Sequence, residues 1–253
     1  MNPYLMHLPD IYIMYIEVKG LTKGRFFMLI DVHMHEMTYS KDSFLKLDEI
    51  VAIAREKGLD AICITDHDSM GLKEYAKEYS ERTGFPVFVG IEFYSLQGDI
   101  VAFGIEDYPK ERIPAQDFIN LVKAQNGVCF AAHPFRNNRR GLEEHLLEVE
   151  GLDGLEVLNA STSPEACRTA AQYAKRLNLF TLGASDCHVP EKVGACATWL
   201  PEKVRTMEEF LDAFRKGNMK PVYYKDGGYH MTSLVEGPAV RPAAGEKILL
   251  GNI

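Results

Sequence analysis

Gly58-Leu-Asp-Ala-Ile-Cys-Ile-Thr65-Asp66-His67-Asp68 runs from a glycine through a short apolar stretch into a burst of ligand-type side chains. Its reading decides the fold. Just before it, Leu47, Ile50, Val51 and Ala54 keep the i, i+3, i+4, i+7 spacing of one helix face, so Gly58 falls where a C-terminal glycine cap belongs. Residues 60–65 are apolar without alternation, the pattern of a strand buried on both faces. The same succession of glycine cap and strand recurs at Gly151-Leu-Asp-Gly-Leu-Glu-Val-Leu158. Strands that alternate with amphipathic helices predict an α/β fold with a parallel sheet.

Working outward, the other apolar runs that read as strands are 28–33, 87–91, 100–104, 128–132, 154–158 and 180–184. Leu72, Tyr75, Ala76 and Tyr79 form a second helix face before Gly84. Ser163-Pro164 supplies an N-cap and an N1 proline to a helix reaching about Leu177, and Thr206-Met207-Glu208-Glu209 is a capping box for the helix with Phe210, Leu211 and Phe214. Between runs 87–91 and 100–104, Gly98 marks a gap with room for a turn but not for a helix. The expected architecture is therefore one α/β domain over residues 28–253, a distorted, TIM-like (β/α)7 barrel with its C-terminal tail. Residues 1–27 read as an N-terminal extension without clear periodicity, either an alternative start or an edge strand.

The 253 residues match the roughly 250 that an α/β barrel needs. A net charge of -8 argues against a broad basic surface for duplex nucleic acid. Five cysteines are an odd count without CxxC spacing, which reads as reduced thiols in a cytoplasmic protein. No apolar run approaches the eighteen or so residues that span a bilayer, and no basic-then-apolar leader opens the chain, so no membrane partner is expected.

Five of the eight histidines, His33, His35, His67, His133 and His188, fall at or just past the end of a run read as a strand. In parallel α/β folds active sites are built at that edge. His33 and His35 stand two apart, on one side of the strand end, which suits two ligands of one ion. Asp66, His67 and Asp68 close the second strand, Glu92 follows the third, and Asp186 and His188 follow Leu-Gly-Ala-Ser. Taken singly, each has a bland reading: a hydrogen-bonded core histidine, an Asx turn, a helix cap. Taken together, so many carboxylates and imidazoles at one mouth would repel or be stranded without cations, which points to metal binding.

The ordered set DxHxH, TDHD, GxE, AHP and SDxH, each after a strand, resembles the PHP (polymerase and histidinol phosphatase) family, specifically its small stand-alone phosphoesterases. The resemblance runs from about Leu29 to Val222. It implies a distorted (β/α)7 barrel with two or three divalent ions (Mn, Fe or Zn) at its mouth. His33, His35, Glu92 and Asp186 would hold the first ion; Glu92 would bridge to a second, held also by His133; His67 and His188 would hold a third. Relatives often place a histidine where this chain has Asp99, so Asp99 either serves as an oxygen ligand or that position loses one. In the loop after His35, Asp42 is the candidate ligand of the third ion, with Glu36 as the alternative. Hydroxide generated between the first two ions would attack phosphorus, and Arg136 would hold the phosphoryl oxygens unless it is a solvated loop arginine. Arg136, Asp186 and His188 are the expected catalytic residues. Asp66 and Asp68 either orient imidazoles or cap turns.

The expected activity is hydrolysis of a phosphate monoester on a small phosphorylated metabolite, a nucleotide or a single-stranded nucleic-acid end. Two other readings stand beside it: an amidohydrolase-type metallohydrolase, which would need a metal-bridging lysine at a strand end, and a PHP scaffold that binds metal without turnover.

Overall fold

The computed structural model describes residues 26–232; most of the extension assigned to residues 1–27, and the chain beyond 232, lie outside the described residues. The first strand, β1 (Met28–Asp31), is followed by α1 (Leu47–Glu56), β2 (Ala61–Ile64), α2 (Lys73–Thr83) and β3 (Val87–Val89). Then come β4 (Ile91–Tyr94), β5 (Asp99–Phe103), α3 (Ala115–Ala124), β6 (Val128–Ala131), β7 (Gly154–Asn159), α4 (Pro164–Leu177) and β8 (Phe180–Ala184). The described chain closes with β9 (Cys196–Leu200), α5 (Met207–Lys216), β10 (Lys220–Lys225) and β11 (Gly228–Met231).

The caps do what their residues dictate. The Ser163 hydroxyl accepts the Ala166 N–H ahead of Pro164, and Thr206 and Glu209 close a reciprocal capping box at the start of α5. On α2, Ala76 and Tyr79 are buried as the spacing predicts, but Tyr75 faces solvent.

The mixed α/β class is as expected; the closed seven-stranded barrel is not what the ladders draw. Hydrogen-bonded strands form two sheets, β11-β10-β9-β1-β2-β3 and β4-β5-β6-β7-β8. β1–β2, β2–β3, β6–β7 and β7–β8 pair in parallel, whereas β4–β5, β5–β6, β1–β9, β9–β10 and β10–β11 are antiparallel. The run read as one strand over 87–91 breaks at Gly90, where an added Cβ would stand 2.5 Å from the Ala102 carbonyl oxygen. β3 therefore ends one sheet and β4 begins the other. Single hydrogen bonds join the sheets at that seam, Gly90 N–H to Ile64 O (2.9 Å) and Glu92 N–H to Asp66 O (3.2 Å). At the opposite seam Asp186 N–H donates to His33 O (2.9 Å) and His35 N–H to Cys187 O (3.2 Å).

Both faces of the strands are buried, which is why their sequences do not alternate. Ile62 and Ile64 pack with Ile50 and Ala54 of α1, while Ala61 and Cys63 join a second core with Phe103, Phe130 and Leu182. Phe210 and Phe214 of α5 fill that second core, stacking on Phe88 at 5.0 Å and on Phe130 at 5.9 Å. All five cysteines are buried free thiols. Among the described residues no helix is long and apolar enough to cross a membrane.

Candidate metal centre

Strand ends from both sheets meet between the two seams, and all nine residues predicted as ligands gather there. His33 and His35 follow β1, His67 follows β2, Glu92 lies in β4, Asp99 opens β5, His133 follows β6, and Asp186 and His188 follow β8. Asp42 comes from the β1–α1 loop. His133 and Asp186 adopt positive φ angles of 29° and 48°, a conformation uncommon outside glycine and concentrated at functional positions.

The proton inventory shows what the cluster wants. Asp66 accepts the Ser40 hydroxyl at 2.8 Å, so Ser40 Oγ is left to accept from His35 Nδ1 at 3.0 Å. His33 Nδ1 lies 3.3 Å from Glu156 Oε1. With both Nδ1 atoms donating, both Nε2 atoms of neutral rings would carry lone pairs, and these face each other at 3.0 Å. Asp186 Oδ1 stands 3.2 Å from His35 Nε2 and 3.6 Å from His33 Nε2. Glu92 adds Oε1 at 3.4 Å from His33 Nε2 and Oε2 at 3.5 Å from His35 Nε2. Lone pairs brought this close need a proton on His33 or a cation between them. Bonds of about 2.0–2.1 Å give donor–donor edges of about 2.8–3.4 Å in octahedral or tetrahedral sites, close to the 3.0 Å to 3.6 Å found.

A second group repeats the logic nearer solvent. His67 Nδ1 contacts Glu92 Oε2 at 2.6 Å and His188 Nδ1 contacts the Asp186 carbonyl at 3.2 Å, which turns both Nε2 atoms towards Asp42 Oδ2, at 3.2 Å and 3.3 Å. The alternative for that position, Glu36, is spent on its own turn, accepting the Thr38 N–H at 2.6 Å.

Charges follow the same pattern. Burial works against protonation of His33, but Asp186, Glu92 and Glu156 overcome it and hold the imidazole well above its usual value. Burial, with His33 and His67 adding, depresses His35 to about 3, so its lone pair stays available. Burial opposes ionisation of Glu92 and Asp186, yet the surrounding histidines keep both carboxyls well below the usual range. His67 rises to about 9 against the cost of its burial, through Glu92 and Asp42.

Two arginines border the cluster. Arg136 pairs with Asp186 Oδ2 and donates to Asn159 Oδ1 (2.6 Å) and Thr162 Oγ1 (3.2 Å), so it is built into the mouth and not a solvated loop residue. Arg140 forks Asp99, Nε to Oδ2 at 2.6 Å and Nη2 to Oδ1 at 2.8 Å.

The model of the PHP-associated family matches residues 164–219. An uncharacterized protein of Methanocaldococcus jannaschii is 29% identical over 143 residues, 53% of this chain and 82% of its own length. A protein of Caldicellulosiruptor bescii named as a probable phosphatase is 24% identical over 209 residues, 67% of this chain and 84% of its own. A solved two-domain protein from Bacteroides vulgatus, described as containing a predicted PHP-like metal-dependent phosphoesterase, superposes with a TM-score of 0.62 at 24% identity. That likeness takes in 78% of this chain and 65% of the other, less than two thirds of the larger protein. The chain is thus similar to PHP-associated proteins over residues 164–219 and shares the fold of a PHP-like protein over most of its length.

Four members of this site escaped the sequence reading. Glu156 sits inside β7, where its Oε2 accepts the His133 N–H (2.6 Å) and Asn159 Nδ2 (3.1 Å) while Oε1 faces His33. Asn159 ties Glu156 to Arg136. Ser40 links Asp66 to His35, which gives Asp66 the orienting role considered for it. Arg140 is fixed on Asp99. Asp68 caps instead, its Oδ1 accepting the Tyr94 N–H at 2.9 Å.

Proposed function

We propose that the chain is a metal-dependent phosphoesterase that hydrolyses a phosphate monoester carried by a small metabolite, a nucleotide or a single-stranded nucleic-acid end. The observation that carries this reading is the convergence of His33 Nε2, His35 Nε2, Asp186 Oδ1 and Glu92 on one point, with Arg136 anchored beside it on Asp186. His33, His35, Glu92 and Asp186 would hold one divalent ion, and His67, His188 and Asp42 another, with Glu92 and His133 lining a third position beside Asp99. Bound there, divalent cations supply Lewis acidity and a water acidic enough to act as nucleophile near neutral pH.

The chain's own groups do the rest. Arg136 keeps Nη1 without a hydrogen-bond partner among the described residues, so it can receive a phosphoryl oxygen while Nη2 stays on Asp186. The ester's negative oxygens are thereby screened from Glu92 and Asp186. His188, a quarter exposed at the rim, stands where a substrate enters, and its carbonyl-bound Nδ1 holds the ring in place.

The test is a panel of phosphoesters (p-nitrophenyl phosphate, AMP, nucleoside 3′,5′-bisphosphates, histidinol phosphate, short oligonucleotides) offered to protein loaded with Mn, Fe or Zn. Turnover should vanish on chelation, return with metal, and fall by about 10³-fold in kcat/KM in His35→Ala. Full metal loading without turnover of any phosphoester would leave a scaffold, and amide turnover an amidohydrolase.

A further inference from the structure

The position between Glu92, His133 and Asp99 is built unlike the other two. Both oxygens of Asp99 are taken by the Arg140 guanidinium, at 2.6 Å and 2.8 Å, whereas Asp186 gives its arginine only Oδ2 and keeps Oδ1 for the histidines. The nearest imidazole nitrogen to Asp99, His133 Nε2, is 3.8 Å from Oδ2, beyond the edge of a coordination polyhedron with bonds of about 2.0–2.1 Å.

His133 itself is not set up as the other imidazoles are. Its Nδ1 is buried without a hydrogen-bond partner among the described residues, and its Nε2 lies 2.9 Å from Glu92 Oε1, as a donor to that carboxylate would. Histidines that bind metal almost always have their second ring nitrogen engaged, as His33, His35, His67 and His188 do here.

Arg140 is also held by more than its charge. Its carbonyl oxygen accepts the Asp99 N–H at 2.7 Å, so main chain and side chain of one residue bracket the other. The approach depends on two glycines: a Cβ on Gly98 would stand 2.6 Å from Gly141 C, and one on Gly141 would stand 2.2 Å from Pro134 O. The guanidinium lies over the Tyr94 ring at 4.4 Å, with Arg112 over the same ring at 3.7 Å, and Arg140 Nη2 reaches to 3.5 Å from His67 Nδ1. A buried carboxylate beside a cluster of acids needs a cation, and the chain supplies one covalently.

We propose that the Arg140 guanidinium is a built-in cation that stands in for one metal ion beside Asp99 and His133, so that the centre takes two divalent ions rather than three. Asp99 is then the anchor of an arginine and not a metal ligand. The inference rests on the metal-dependent reading given above and concerns how the same centre is filled.

Counting ions tests it without turnover. The intact chain is stripped, saturated with manganese, freed of excess, and its bound manganese measured by elemental analysis and native mass spectrometry. The wild type should hold about two ions per chain, and Arg140→Ala and the Asp99→His, Arg140→Ala double variant should rise towards three. Three ions in the wild type would overturn the proposal, with no variant needed; so would folded variants whose content stays at the wild-type value. Arg140→Gln, which keeps the bulk and removes the charge, should also gain an ion and covers the case in which the alanine variants do not fold. Absence of any bound manganese would remove the metal-dependent reading and this one with it, whereas three ions would remove this one alone.

Discussion

Glu156 works on two histidines at once. Oε1 meets the His33 ring and Oε2 the His133 main chain, and the carboxyl is buried. A carboxylate can accept from both donors; an amide cannot. Glu156→Gln must turn its NH2 towards either His33 Nδ1 or the His133 N–H, leaving a buried donor unpaired at a cost of about 1–3 kcal/mol. The ring of His33 then loses the partner that aims its Nε2 at the cluster. Manganese affinity in Glu156→Gln should drop by about 10–100-fold while the far-ultraviolet circular dichroism is kept. A competition titration with a chelator reads this directly, and unchanged affinity would show that Glu156 only packs. The residue was hidden from the sequence because it occupies the middle of a strand, where a lone glutamate carries no motif. Seven of the nine predicted ligands were legible for the opposite reason, since each closes or follows an apolar run that ends in plain view, whereas Asp42 and Asp99 were reached only through the family resemblance.

Among the elements, legibility tracked local rules. Ser163-Pro164 and Thr206 to Glu209 announced α4 and α5 because capping involves residues three apart, and both caps are in place. β9, β10 and β11 went unread, although Asp226-Gly227, with φ of 51° and 82°, is the two-residue turn that joins the last two. Their places in the sheet depend on the pairing of β9 with β1, where Met28 meets Leu200 across most of the chain, which no short window reports. Gly90 likewise looks like one residue of a strand until the Ala102 carbonyl opposite it is known. The same non-local constraint makes Gly98 testable. Its missing Cβ admits main-chain atoms of Gly141 and Leu142 at 2.6 Å, and main chain cannot swing aside as a side-chain tip can. Gly98→Ala should therefore lose about 1–3 kcal/mol of stability in a urea titration, by pushing the 133–142 loop off β5. Gly228→Ala, which meets nothing within 4 Å and like Gly98 has no positive φ, serves as the control for adding a methyl group alone. Equal losses in the two variants would mean that the approach at Gly98 is not tight.

For the whole molecule, metal, proton and stability are linked. Burial lifts Asp31 and Asp66 from the usual 3.8 to about 7, and burial with Glu92 does the same for Asp99 against Arg140. Each carboxyl binds its proton more tightly folded than unfolded, so the stability it contributes is complete below 3.8 and is lost as pH rises through about 7. His67, raised to about 9, adds stability that is complete below 6.5 and is lost as pH passes through its folded value. Glu92 and Asp186 have the opposite sign: their depressed values confine their loss to strongly acidic solution. The chelated protein should thus weaken steadily from about pH 5 to about pH 8, as carboxylates lose protons with nothing to replace them. Metal fills that need, and it competes with fewer protons as pH rises. Binding at a hundred times Kd contributes about 2.7 kcal/mol, or about 5–10 °C in a chain of this size. Melting curves with manganese and with chelator should separate by more at about pH 8 than at about pH 5. A gap that stays constant or narrows over that range would mean that the histidines and carboxylates at the strand ends hold one another and not a cation.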